Sequence, residues 1–144
     1  MLISLFVGCL VITACVFVQM LGMIEIFNRV RILASIWSNV AIHYRKMWLM
    51  VATVLGVFVI HALQIWVWAV TYWTVGALQA FDEALYFSTV TFSTLGYGDI
   101  ILSKQWRILG ALEGIAGFIY IGWSTAYLIG ASKRYGPFAA KHHF

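Results

Sequence analysis

Thr94, Leu95, Gly96, Tyr97, Gly98 and Asp99 set two glycines one residue apart around a tyrosine, with a hydroxyl at one end and a carboxylate at the other. A dehydrated cation in a low-dielectric region needs a ring of neutral oxygens in place of its water, and inward-pointing carbonyls are a dense, rigid source of them. Gly96 and Gly98 can take positive φ without steric cost, which would let the carbonyls of Thr94, Leu95, Gly96 and Tyr97 turn toward one axis. Thr94 adds a hydroxyl oxygen at the inner end, and the Tyr97 ring is large enough to pack outward and fix the radius of the strand. Asp99 supplies an outer charge that anchors the strand or attracts cations. The alternative reading of the same residues is a Gly-Tyr-Gly-Asp turn between two helices, since Gly and Asp are ordinary turn formers.

The elements that must hold this run are apolar. Hydrophobic residues make up 63% of the chain and charged residues only 10%, against about one quarter charged in soluble proteins, which makes this a membrane protein of one compact unit. Residues 2–24 carry no charge, residues 47–75 contain no acid, lysine or arginine, and residues 108–129 form a third apolar run. At about 1.5 Å per helical residue each covers the hydrocarbon core of roughly 30 Å. The segment between the second and third runs is too polar and too short to cross twice.

Residues 28–46 change pattern. Val30, Leu33, Trp37, Val40, Ala41, Tyr44 and Trp48 recur at three and four residues, with Arg31, Ser35, Ser38 and Arg45 on the other side. The spacing predicts an amphipathic helix at the inner interface, with Arg29, Arg31, Arg45 and Lys46 reaching anionic lipid. Ile32, Ile36 and Ile42 blur the stripe, and the alternative is a solvated linker.

Basic residues set the orientation. Arg29, Arg31, Arg45 and Lys46 lie between the first two spans, and Lys133, Arg134 and Lys141 follow the third, which places both on the cytoplasmic side and the N-terminus outside a plasma or inner membrane. On the outer side Asp82, Glu83 and Asp99 outnumber Lys104 and Arg107. Trp48, Trp68, Trp73 and Trp106 fall where indole rings anchor spans at headgroup level, or else pack inside the bundle. The first span lacks a basic leading region and is too long for a cleaved signal. Ile12, Thr13, Ala14 and Cys15 nevertheless resemble a lipoprotein cleavage box. Cys9 and Cys15 point about 120° apart around a helix and cannot bridge within one chain.

The TLGYGD run between two apolar stretches closely resembles the selectivity filter of potassium channels. Residues 47–132 resemble the pore domain of bacterial two-transmembrane, inward-rectifier-like or small ion channels, here with an extra N-terminal transmembrane helix in residues 1–27. The resemblance implies an all-α membrane protein with three transmembrane helices, an interfacial amphipathic helix over 28–46 similar to a slide helix, and a re-entrant pore helix with a filter. It implies an outer helix 47–75, a pore helix 81–92 with Asp82 and Glu83 in its first turn, a filter 94–99, an inner helix 107–131 and a short cytoplasmic tail 133–144. Potassium, the permeant ion and no cofactor, would be held by Thr94, Leu95, Gly96 and Tyr97 of a homotetramer, since one chain supplies one strand and four are needed to surround an ion.

Further roles follow from the same resemblance. Gly117, with Gly122, repeats the inner-helix glycine spacing and is the candidate hinge, although Gly110, Gly114 and Gly117 also form a ridge suited to plain close packing. Phe118, Ile121 and Thr125 would face an inner cavity. Tyr86 and Phe87 stand where the family carries two tryptophans, so only Tyr86 keeps a polar tip able to reach Asp99. Val90 occupies the place of a glutamate that some members set behind the filter. Glu113 is the one acid inside the three apolar runs, at a cost of a few kcal/mol if ionised. It is expected to pack behind the filter near the pore helix and replace the missing clamp; the alternative is a protonated carboxyl bonded to a neighbouring helix. His61 and Gln64 share a helix face and suit interhelical hydrogen bonds better than metal binding or pH sensing.

No catalytic constellation, phosphate loop or nucleic-acid-binding pattern is present in the sequence, and no span carries an arginine at every third residue as a voltage sensor would. Two functions remain: passive potassium conduction, or a non-conducting structural or regulatory subunit carrying a channel-like pore module. A transporter with degenerate filters would carry four pore repeats in one chain.

Overall fold

Apolar runs without proline propagate as helix until a residue that favours another conformation stops them. In the computed structural model, which describes residues 2–37 and 41–135, this gives helices α1 (Leu2–Ile36), α2 (Ile42–Thr74), α3 (Phe81–Phe92) and α4 (Arg107–Tyr135), with no strand among the described residues. Three of them, α1, α2 and α4, are long and apolar enough to cross a membrane. The fold is the all-helical arrangement expected, and α3 has the bounds read from the sequence.

The interfacial helix is a correction. Residues 28–36 continue α1 and residues 42–46 open α2, so among the described residues no separate helix lies between them; Ser38 and Val40 fall outside the described residues, as does Lys141 in the tail. Nothing between Ile24 and Ile36 breaks a helix, and the charges that suggested a boundary pair along it, Arg29 Nε to Glu25 Oε1 at 2.7 Å. At 35 residues α1 is about 52 Å long, well beyond a hydrocarbon core of roughly 30 Å.

Helix α2 stops in a turn of specific chemistry. Gly76 takes φ +69°, its amide bonds Trp73 O at 3.2 Å, and the Ala77 amide bonds Tyr72 O at 2.9 Å. This pairing satisfies the last carbonyls and turns the chain back toward α3. Helix α3 starts at Ala80 without a side-chain cap, and Asp82 and Glu83 in its first turn complement the positive end of the helix dipole instead.

Two apolar layers hold the bundle. One gathers Val11 and Cys15 of α1, Trp68, Ala69 and Tyr72 of α2, Ala84 and Phe92 of α3, and Leu109, Ala116 and Tyr120 of α4. The other, between α1 and α2, gathers Met23, Ile26, Val30, Leu49, Val57 and Ile60, with Tyr127 and Leu128 of α4 against it. Trp68 is fully buried and Trp106 nearly so, so these two are core residues and not headgroup anchors, whereas Trp48 and Trp73 stay about half exposed. The Trp68 ring lies on the same helix face as Tyr72 and stacks on it at 6.1 Å, which turns it inward.

Helix α1 is bonded to the rest along its length. The Ser4 hydroxyl donates to Gln105 O at 2.6 Å, and Tyr120 OH donates to Ile12 O at 2.9 Å. Gln19 Nε2 donates to Ser124 Oγ at 2.9 Å, while Gln64 Nε2 donates to Gln19 Oε1 and to Cys15 O, both at 3.1 Å. Gln64 thus makes the interhelical bonds expected of it, and His61 Nδ1 lies 3.0 Å from Gln64 Oε1 on its own helix. Cys9 and Cys15 are both free.

Candidate functional site

The site is built on the C-terminal end of α3. Its last carbonyls capture the amides that follow: Thr94 N to Thr91 O at 3.0 Å, Leu95 N to Val90 O at 3.0 Å and Gly96 N to Val90 O at 3.2 Å. Val90, where a clamp was missing, therefore serves the segment through its backbone carbonyl. From there the chain alternates. Thr94, Gly96 and Gly98 have φ of 60°, 54° and 77°, while Leu95 and Tyr97 between them do not take positive values.

This alternation has a geometric consequence. In an ordinary extended strand successive carbonyls point to opposite sides; placing every second residue in the left-handed region cancels that reversal and brings successive carbonyls to one side. The two glycines bear it freely. Thr94 does not, and a non-glycine residue there costs about 1–2 kcal/mol. The sequence pointed to the glycines alone; the missed signal is that an every-second-residue requirement runs on to Thr94.

The segment is open along its length. Residues 93–99 are all exposed in the single chain, and the carbonyls of Thr94, Leu95, Gly96 and Tyr97 accept no hydrogen bond from the described residues. The Leu95 and Tyr97 side chains, 56% and 68% exposed, lack the packing within their own chain that the strand radius requires. A row of unpaired carbonyls at membrane depth costs several kcal/mol per group unless something else meets them.

At the outer end, the Tyr86 hydroxyl donates to Asp99 Oδ2 at 2.7 Å, and the Ile100 amide donates to Asp99 Oδ1 at 3.1 Å. The Tyr86 bond is the main reason the Asp99 carboxyl lies below its ordinary range, and it raises the Tyr86 hydroxyl in return. The segment is thus tied at both ends, to the α3 terminus below and to an α3 side chain above.

Behind α3 lies Glu113, fully buried. Tyr72 OH donates to its Oε2 at 2.6 Å, and Ser88 Oγ lies 2.5 Å from its Oε1 and 3.0 Å from Ile65 O. The acid is placed against the middle of α3, two residues before Val90, and makes no hydrogen bond to residues 94–99. Tyr72 and Ser88 were not singled out in the sequence; their only signal was a polar group on the buried face of an apolar helix.

The α4 glycines differ among themselves. A Cβ on Gly117 would collide with the Phe92 carbonyl, so this residue is required by the close approach of α4 to the base of the segment. Gly122 has nothing within 4 Å of such a Cβ and no packing reason of its own. Phe118, Ile121 and Thr125 occupy one exposed face of α4, away from Tyr120 and Ser124, which face α1.

Two spanning helices, a short helix that enters between them and a backbone segment with unpaired carbonyls define a membrane pore module. A family model described as an ion channel matches residues 47–132, more than half of the chain and the whole of that module. The chain belongs to this ion channel family, and the resemblance to potassium-channel pore domains stands. Its family and its three apolar helices make it a multi-pass membrane protein and a channel component. Comparison with curated proteins gave no match, and comparison with solved structures gave none.

Proposed function

We propose that this protein is a subunit of a potassium-selective channel, conducting passively through a filter formed by residues 94–99 of four identical chains. The observation that carries the reading is the alternation of φ at Thr94, Gly96 and Gly98 with the carbonyls of Thr94 to Tyr97 left unpaired. An unhydrated alkali ion is the partner such oxygens fit, and four rows of them replace its water shell. One chain offers one row, and fourfold symmetry supplies the rest.

Other features support the same reading. The α3 dipole directs its negative end at the base of the segment, which stabilises a cation there. The exposed face of Phe118, Ile121 and Thr125 becomes the wall of an inner cavity. Helices α1 and α4 run the same way, since Ser4 meets Gln105 at one end and Phe27 meets Arg134 at the other, with the guanidinium 5.6 Å from the ring centroid. With Arg29, Arg31, Arg45 and Lys46 cytoplasmic and against anionic lipid, the N-terminus and the filter entrance face outward. Gly122 is the better placed hinge, because Gly117 is committed to packing.

Mass measurement of the detergent-solubilised protein tests the assembly. A tetramer whose thermal dissociation is raised by potassium and not by sodium is expected; a monomer, or equal response to both ions, would overturn the reading and favour a non-conducting subunit.

A further inference from the structure

Glu113 sits among groups that can be counted. Two short contacts join it to the bundle, Tyr72 OH to Oε2 and Ser88 Oγ to Oε1, and a third bond runs on from Ser88 Oγ to Ile65 O. Each hydrogen bond needs one proton. If Glu113 were ionised, Tyr72 and Ser88 would bring only two, and the Ser88 hydroxyl would have to choose between the carboxylate and the Ile65 carbonyl. With a proton on Oε1 the count closes: Tyr72 donates to Oε2, Glu113 donates to Ser88 Oγ, and Ser88 donates to Ile65 O.

Charge leads to the same state. Glu113 is 0% exposed and, among the described residues, forms no ion pair with a lysine, arginine or histidine. The groups bonded to it are the Tyr72 phenol from α2 and the Ser88 hydroxyl from α3, and the Cys15 thiol of α1 is near enough to interact with it electrostatically. None of them carries a positive charge, and an unpaired buried carboxylate costs far more than a neutral acid with its bonds made.

We propose that Glu113 acts as an un-ionised positioning residue whose own proton completes a chain from Tyr72 through Ser88 to the Ile65 carbonyl, fixing the seat of α3 on α2 and α4. The segment 94–96 hangs from the α3 terminus through the Val90 and Thr91 carbonyls, so the seat of α3 sets the position of the filter carbonyls. The acid needs to donate one bond and accept one, and no charge is used. An amide can do both. Glu113→Gln would accept from Tyr72 and donate to Ser88 with one amide hydrogen left over, whereas Glu113→Ala breaks the chain on both sides.

Infrared spectroscopy of the full-length protein in lipid at neutral pH reads the proton directly, and this arm does not depend on conduction. A carboxylic-acid C=O stretch absent from Glu113→Gln is expected, and in Tyr72→Phe the stretch should move to higher frequency as Oε2 loses its donor. A wild-type spectrum without that band, or a band unmoved in Tyr72→Phe, would overturn the proposal. The second arm rests on the potassium-channel reading and measures rubidium against sodium uptake into proteoliposomes. Glu113→Ala should lose selectivity at least tenfold, and Glu113→Gln should recover it to within a few-fold. Glu113→Gln as unselective as Glu113→Ala would show that the carboxylate charge is needed, against the proposal. If Glu113→Ala fails to assemble, Tyr72→Phe takes its place with an expected few-fold loss, and unchanged selectivity in Tyr72→Phe counts against the chain.

Discussion

Two buried polar clusters join the helices of this protein, and they are built for different ends. Glu113, Tyr72 and Ser88 tie α4 and α2 to α3, the helix that carries residues 94–99. Gln19, Gln64 and Ser124 tie α1 to α2 and α4 and make no hydrogen bond to α3 or to that segment. The first uses an acid and two hydroxyls at very short distances. The second uses two amides and a hydroxyl at ordinary ones. Disturbing the first should displace the carbonyls of the ion pathway, whereas disturbing the second should loosen α1 and leave the pathway intact.

Four substitutions sharpen that contrast. The largest effect is expected from Gly117→Val, which drives a branched side chain into the Phe92 carbonyl at the base of the segment. Overpacking costs about 1–3 kcal/mol, and backbone contact puts this change at the upper end, read as a fall in the thermal dissociation temperature together with loss of potassium protection. Tyr72→Phe leaves Glu113 Oε2 without its donor, at a cost of about 1–2 kcal/mol in unfolding assays, again with loss of potassium protection.

Gln19→Leu breaks the bonds to Ser124 and Gln64 and should cost about 0.6–2 kcal/mol. Protease access to the α1 region would rise, with potassium protection unchanged. Loss of that protection in Gln19→Leu would erase the distinction between the clusters. The smallest change is Tyr86→Phe. Asp99 lies below its ordinary value chiefly through the Tyr86 bond, so that bond contributes stability that is present above the usual aspartate pKa of about 3.9 and lost as pH falls through the depressed value. Without it, acid inactivation of the proposed tetramer should begin at higher pH, and a titration of thermal stability against pH would record the shift.

Local chemistry was legible in the sequence and long-range pairing was not. The bounds of α3 could be read because Asp82 and Glu83 mark its first turn and the glycine-bearing run ends it. The turn at Gly96 and Gly98 could be read because glycine alone takes positive φ freely. The end of α1 could not, since charges at Arg29 and Arg31 mark an interface but do not break a helix, and no glycine or proline lies between Ile24 and Ile36. That Glu113 needed partners was evident from its place in an apolar span. Which partners it found depended on helix packing that joins residues 41 and 25 positions away.

Gly98→Ala bears most directly on the carbonyl pathway, because it adds a Cβ at a φ of 77° and meets no other atom within 4 Å. Within its own chain its effect is therefore on backbone conformation. Rubidium uptake into proteoliposomes that exclude sodium, blocked by barium in the wild type and abolished in a Gly98→Ala protein that still forms tetramers, is the expected result. Equal uptake of rubidium and sodium by the wild type, or selective uptake surviving in Gly98→Ala, would contradict the assignment of residues 94–99 as the ion-coordinating strand.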